Sequence, residues 1–197
     1  MELIQESPDI SAYLAADEAI DHRHPSVQKT VAFLRIQTSD AYTYAKAAFA
    51  FVRDTIAHSA DAEHDRVTWR ASDVLEQRTG ICYAKSIALT AVLRASGIPT
   101  ALCYQRLAHE DGFAVHGLIA LRLPGHENWA RQDPRGNRPG IDARFGTDRE
   151  RLAFVPDPAA GEADYPTLYA APPPVVLEAL QAAGDRAELW RLLPTAL

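Results

Sequence analysis

The chain has 197 residues, of which 47% are hydrophobic, and carries a formal net charge of -6 at pH 7. This length fits one domain with a sizeable buried core. The acidic balance argues against a nucleic-acid-binding surface, which requires clustered lysine and arginine, and no apolar stretch is long enough to span a membrane. Because residues 1–6 lack the basic start and apolar core of a secretion signal, we expect a cytoplasmic location.

The first third of the chain predicts helices. Pro25 stands in the first turn of one helix, and Ser39 is expected to cap a second one. A polar stretch at residues 58–66 predicts a loop, after which Ser72 is expected to cap a short helix that ends near Gly80. These helices are expected to cover the core.

Cys82 lies between a turn signal and an apolar helical run. Gly80 can adopt the backbone angles that lead a chain into a helix, and residues 87–93 are long and apolar enough to continue it. The thiol is then in the first helical turn, where unpaired N–H groups and the helix dipole favour a thiolate. Only a narrow polar stripe interrupts this helix: Ser86, Thr90 and Arg94. We therefore expect a central helix that is buried on most sides.

A hairpin is predicted downstream of this helix. The sequence first predicts a strand at residues 100–107. After it, β-forming residues and turn signals place the two strands of the hairpin at residues 113–123 and 127–133. If the hairpin is symmetric about Pro124 and Gly125, His116 directly faces Asp133. Opposed side chains of an antiparallel pair have Cβ atoms about 4.5–5.5 Å apart, so the carboxylate could hold one imidazole nitrogen.

Cys82, His116 and Asp133 are the residue types of an acyl-transfer site. A thiolate attacks a carbonyl carbon, a histidine takes and returns protons, and an aspartate orients the imidazole and stabilises its charged form. The sequence therefore predicts a nucleophile, a base and an orienting carboxylate in this order along the chain.

The surrounding motifs resemble the catalytic core of the transglutaminase-like superfamily, which is built on a papain-like scaffold. The motifs lie at residues 71–75, 80–86, 93–99, 115–117 and 133–137. This resemblance implies Cys82 as nucleophile, His116 as base and Asp133 as orienting residue, in agreement with the hairpin pairing. It also implies an α+β fold in which N-terminal helices and the helix that begins at Cys82 pack on an antiparallel sheet.

We expect residues 1–197 to form one such domain. Its core spans roughly residues 40–140, preceded by a helical part at residues 1–39. In the following segment, residues 141–197, many prolines indicate a surface wrap without regular structure at 154–174. Terminal helices are expected at residues 175–183 and 185–193. Nothing in the sequence indicates an oligomeric state.

An acyl-transfer site also needs donors for the negative charge that develops on the carbonyl oxygen. The backbone N–H of Cys82 is one donor. For the second we consider His58, Trp69 and Gln77, and we place His58 first because it follows a long helix that could end at the cleft. Tyr83, beside the nucleophile, either lines the pocket or packs.

Hydrolysis of a peptide, amide or isopeptide bond through a thioester is the predicted reaction, with a peptide or protein as substrate. The same residues also permit amine transfer and crosslinking, and a non-catalytic peptide-binding module is a further alternative. No cofactor is expected. A disulfide between Cys82 and Cys103 is disfavoured, because a reducing cytosol opposes it and it would block the nucleophile.

Four other histidines raise an alternative to the cysteine-dependent enzyme, namely a metal-dependent hydrolase. The candidate ligands are His22, His24, His58 and His64 with Asp21, Asp61 and Asp65. Their spacing fits no familiar ligand pattern and no His-Glu-x-x-His helix is present, so we interpret them as solvated loop residues and predict no metal site.

Overall fold

The computed structural model describes residues 1–109 and 112–197. After a short strand β1 (Ile4–Gln5) and a 3-10 turn (Ile10–Leu14), two helices follow, α1 (Pro25–Arg35) and α2 (Ala41–Thr55). The expected cap at Ser39 is wrong by one residue, since Asp40 accepts the N–H of Thr43 and completes a capping box. The helix therefore begins one residue later than the sequence suggested.

The next elements lead the chain to Cys82. Strand β2 (Ala57–His58) pairs in parallel with β3 (Thr79–Gly80), and helix α3 (Ala71–Gln77) lies between them in sequence. Ser72 is buried within α3 and does not cap it, because the helix already begins at Ala71 after Arg70. The region that we expected to be a loop thus starts with a strand residue, His58.

Helix α4 (Cys82–Arg94) is the centre of the molecule. Every one of its residues is buried, including the expected polar stripe. Helices α1, α2 and α3 cover it on one side and the sheet covers it on the other. This confirms the central helix of an α+β fold.

The sheet is antiparallel and has four strands. They are β4 (Thr100–His109), β5 (Gly112–Leu121), β6 (Ala130–Gln132) and β7 (Ala163–Asp164), in the order β6-β5-β4-β7. A second group of buried side chains covers the face away from α4 and includes Tyr13, Cys103 and Leu168. Cys103 therefore packs as an apolar residue in a different cluster from Cys82.

The predicted hairpin register is wrong by two residues. Ile119 faces Gln132 and Leu121 faces Ala130, because the connection is the longer loop 122–129 rather than a tight turn at Pro124 and Gly125. His116 and Asp133 are consequently not directly opposed. A two-residue displacement nevertheless preserves the face on which each side chain lies, since side chains alternate with a period of two.

The segment after residue 141 is more regular than expected. Two short strands lie in the proline-rich stretch, β7 at the edge of the sheet and β8 (Thr167–Leu168) beside β1. Helices α5 (Pro174–Ala182) and α6 (Arg186–Leu192) are within one residue of the predicted bounds at each end. Among the described residues, no helix is both long enough and apolar enough to cross a membrane.

Arg94 fastens the end of α4 to three distant segments. Its guanidinium donates to the backbone oxygens of Ala15, Thr100 and Ala170 at 2.7–3.0 Å. The side chain is only 3% exposed, so these carbonyl groups have little access to water as an alternative donor.

We predict that Arg94→Ala lowers the free energy of unfolding by about 3 kcal/mol, because it leaves buried carbonyl oxygens without donors. Denaturant unfolding measures the change. The control is Arg191→Ala at an exposed position of α6, which we expect to change stability by less than about 0.5 kcal/mol. Equal losses in the two variants would contradict this role of Arg94.

Candidate active site

Cys82 is held at the first residue of α4 by tight packing of the residues before it. A Cβ atom at Gly80 would lie 2.8 Å from the Cβ of Ala84, so a side chain there would push β3 away from the helix. Gly80 is therefore required for close approach, and not for the unusual backbone angles that we expected. The backbone N–H groups of the first turn of α4 have no partner within the helix and are available at the thiol.

His116 lies between Asp133 and the thiol. Its Nε2 donates to Oδ2 of Asp133 at 2.9 Å, and both side chains are buried. This leaves Nδ1 free of Asp133, and Cys82 lines the same pocket as the ring. Phe154 packs its ring edge to face with His116 at a centroid distance of 4.9 Å.

Asp133 is held in place by the backbone. The N–H of Arg135 donates to Oδ1 and the N–H of Ala153 donates to Oδ2, each at 3.0 Å. Burial opposes the charged form of this carboxyl, but His116 and the two N–H groups lower its pKa. The site thus holds a carboxylate that cannot rotate away from the imidazole.

The charges around His116 favour its protonated form. Burial alone would lower its pKa, but the charge of Asp133 and the contact with Cys82 raise the pKa to about 10. The arrangement is therefore that of an imidazolium held against a carboxylate, in the pocket that also contains Cys82.

Gly117 brings β5 against the first turn of α4. A Cβ atom at this position would lie 2.8 Å from Cδ1 of Tyr83, and the N–H of Gly117 donates to the Cys82 sulfur at 3.5 Å. The Tyr83 hydroxyl donates to the Val115 oxygen. Of the two possibilities for Tyr83, the structure shows packing: it is buried under the strand and does not line the pocket.

A pocket of about 610 Å³ opens beside Cys82 and His116. His58 also lines this pocket, whereas neither Trp69 nor Gln77 is among the lining residues that the structure describes. Trp69 instead packs under the Arg70 guanidinium at 4.2 Å, and Gln77 is exposed at the end of α3. The structure thus brings His58 to the site and leaves the other two oxyanion candidates outside it.

His58 is half-buried in a cationic environment. Burial lowers its pKa to about 3, with a further contribution from Arg135, so the ring is neutral at pH 7. Its Nδ1 is enclosed and has no hydrogen-bond partner among the described residues. A neutral ring with an enclosed, unpartnered Nδ1 favours the proton on Nε2, because an unpaired buried N–H costs more than an unpaired acceptor.

Two buried cations support the site and were not recognised from the sequence. Arg135 forms two hydrogen bonds with Asp61, at 2.6 and 2.9 Å, which join the loop after His58 to the loop after Asp133. Lys85 donates to the Ile56 oxygen at 2.5 Å, and burial lowers its pKa to about 8. A lysine in a helix is usually exposed, so no sequence signal distinguished Lys85.

The other candidate metal ligands have structural contacts. His22 bonds to the Leu14 oxygen, His24 caps α1, and His64 bonds to the Thr79 hydroxyl. Within residues 1–109 and 112–197, no group of three or more His, Cys, Asp or Glu side chains could hold a metal ion.

A model of the transglutaminase-like superfamily matches residues 29–134, which include Cys82, His116 and Asp133. The chain belongs to this superfamily. No curated protein matches the chain. The match ends at residue 134, so Phe154 and helix α6 of this transglutaminase-like chain lie outside the matched residues.

The fold resembles that of a solved structure. A candidate cysteine protease from Cytophaga hutchinsonii superposes with a TM-score of 0.54 at 17% identity, over 66% of this chain and 43% of its own. Weaker similarities are to a candidate protease from Parabacteroides distasonis (TM-score 0.41, 14% identity, 61% of this chain and 26% of that one) and to a TGase (0.44, 15%, 64% and 34%). The transglutaminase-like chain thus matches less than half of the length of each of these proteins.

We predict that the imidazole of His116 titrates near pH 10 and that Asp133→Asn moves this titration several units lower. The carboxylate charge favours the imidazolium, so its removal lets burial dominate and lowers the pKa. The histidine Cε1–H NMR signal followed from pH 5 to pH 11 measures both values. Asp142→Asn, at an exposed ion pair with Arg144, is the control and leaves the titration unchanged. A His116 titration at the same pH in wild type and Asp133→Asn would contradict the pairing.

Proposed function

We propose that this protein is a cysteine-dependent acyl-transfer enzyme that hydrolyses a peptide, amide or isopeptide bond through a thioester. Cys82 is the nucleophile, His116 the acid and base, and Asp133 the residue that orients the imidazole. The observation that carries the proposal is the position of His116, which bonds to the carboxylate of Asp133 through Nε2 and lines the same pocket as Cys82, whose sulfur accepts the N–H of the next residue, Gly117. Membership in the superfamily supports the same assignment.

The reaction follows from this arrangement. The Cys82 sulfur attacks the carbonyl carbon, and the His116 imidazolium gives its proton to the leaving nitrogen as the carbon–nitrogen bond breaks. The neutral imidazole then takes a proton from water, which attacks the thioester carbonyl and releases the acid. Departure of the sulfur restores the thiolate beside a protonated His116.

Two donors would stabilise the developing negative charge on oxygen. The backbone N–H of Cys82 is at the helix N-terminus, and Nε2 of His58 can donate because the neutral ring carries its one proton on this nitrogen. An oxyanion donor acts only if it carries a proton and faces the cleft. His58 lines the pocket that contains Cys82, which supports this role.

Water is the proposed acceptor because it is always present and nothing in the chain marks a site for an amine. Amine transfer would use the same three residues, and a non-catalytic module would not need them. The acceptor is tested by incubating an acylating peptide with and without added lysine methyl ester and identifying the products by mass spectrometry. Free acid alone in both cases supports hydrolysis, whereas a lysine adduct would reassign the reaction to amine transfer.

We predict that iodoacetamide alkylates Cys82 about 100-fold faster at pH 6 than it alkylates Cys103. The imidazolium of His116 stabilises the reactive thiolate, whereas burial raises the pKa of the Cys103 thiol. Peptide mass spectrometry measures both rates in one sample. Cys103 is thus an internal control.

His116→Ala should slow the labelling of Cys82 at pH 6 by more than tenfold and abolish turnover. Slow alkylation of Cys82 that is unaffected by this substitution would overturn the proposed catalytic pair and favour the binding module.

We predict that His58→Ala lowers kcat by about 10²-fold with little change in the labelling rate of Cys82. Loss of one oxyanion donor weakens binding of the transition state but leaves the thiolate intact. His58→Gln keeps a donor N–H and should recover part of the activity. Steady-state kinetics measures kcat and KM separately. A loss confined to KM, or equal loss in the two variants, would argue against the oxyanion role.

A further inference from the structure

One part of the pocket beside Cys82 is formed by apolar side chains, and we call it the apolar subsite. It is lined by Leu107, Ala114, Phe154, Val155, Trp190 and Leu193. These residues come from the β4–β5 hairpin, from the loop after Asp133 and from the end of α6. The ionic part of the pocket, with Asp61, Arg135 and Arg138, is built from the loop after His58 and from residues 135–138.

The apolar subsite lies close to the reacting atoms. Leu107 faces Ala114 across the hairpin, and Ala114 is two residues before His116 in β5. Alternate residues of a strand share a face and are about 7 Å apart, so the subsite begins about that far from the imidazole. A side chain bound there fits a residue beside the bond that Cys82 attacks.

The surface of the subsite is available to a ligand. Val155 is 88% exposed, and Trp190 is half-buried with its ring 6.4 Å from that of His109. Glu162 also lines the pocket, but its two carboxylate oxygens accept the N–H groups of Ala108 and Asp157. This carboxylate is therefore already engaged with the backbone.

We propose that the apolar subsite binds a large apolar side chain of the peptide substrate, of the leucine or phenylalanine class. The inference rests on the proposed function, because it places this side chain next to the carbonyl that Cys82 attacks. Burial of apolar surface supplies the binding energy, and continuity with the pocket at Cys82 identifies the occupant as substrate.

The test uses five peptidyl acyloxymethyl ketones that differ only in the residue beside the reactive carbonyl: leucine, phenylalanine, alanine, glutamate and lysine. Such probes alkylate a cysteine thiolate and expel a carboxylate. Intact mass spectrometry gives the second-order rate, which is divided by the iodoacetamide rate of the same variant. We expect the leucine and phenylalanine probes to react about tenfold or more faster than the other three.

Trp190→Ala should remove most of this preference, and Val155→Asp should reduce it without affecting folding, because Val155 is exposed. The matched control is Leu192→Ala on the same helix, at a residue that does not line the pocket. Thermal unfolding monitors the integrity of each variant. If Trp190→Ala does not fold, Val155→Asp still decides the outcome.

Equal rates for the five probes, or a preference that survives both substitutions, would overturn the apolar subsite. If Cys82 still reacted quickly with iodoacetamide in that case, the proposed catalytic function would stand. Slow reaction of Cys82 with iodoacetamide and with all five probes would instead overturn the proposed function, and the subsite with it.

Discussion

The burial of α4 on all sides is the constraint on which the rest of the structure depends. A helix enclosed by three helices and a sheet has no freedom to rotate or slide without disturbing close-packed neighbours. Its two internal cations reinforce this, since Lys85 donates to carbonyl oxygens at the end of α2 and Arg94 donates to three segments at the other end. Cys82 is thus presented from a fixed helix terminus.

Two glycines then determine how closely other strands approach that terminus. Gly80 allows β3 to pass close to the Cβ atom of Ala84 in α4, and Gly117 allows β5 to lie against Tyr83. Because these contacts leave no space for a Cβ atom, a methyl group at either position would separate the thiol from the groups around it. The geometry around Cys82 therefore depends on backbone packing as much as on the side chains of Cys82, His116 and Asp133.

The sequence was informative wherever a local pattern determines structure. The start of α4, the strands around His116 and the terminal helices follow from turn residues and from apolar runs. The hairpin register could not be predicted, because nothing in residues 122–129 distinguishes a long loop from a tight turn. The displacement was an even number of residues, so His116 and Asp133 still share a face and meet diagonally.

Other features depend on partners distant in sequence. Strand β8 has only two residues and exists because β1 lies beside it, and Arg135 is buried because Asp61 meets it from a loop 74 residues away. Periodicity carries no information about such pairs. The same reason explains why Lys85 could not be distinguished from a surface lysine and why Phe154 was not expected at the imidazole.

The division of the site between two parts of the chain has a consequence for specificity. The superfamily match covers the three proposed reacting residues, whereas Phe154, Val155 and Trp190 come from the segment beyond it. That segment is anchored at Asp133 itself, through the N–H of Ala153. A change in the C-terminal segment can therefore alter the pocket beside Cys82, while the hydrogen bond to Asp133 keeps the start of that segment aligned with the imidazole. The proposed chemistry and the proposed apolar subsite can vary separately in such an arrangement, because they depend on different residues that share one anchor point.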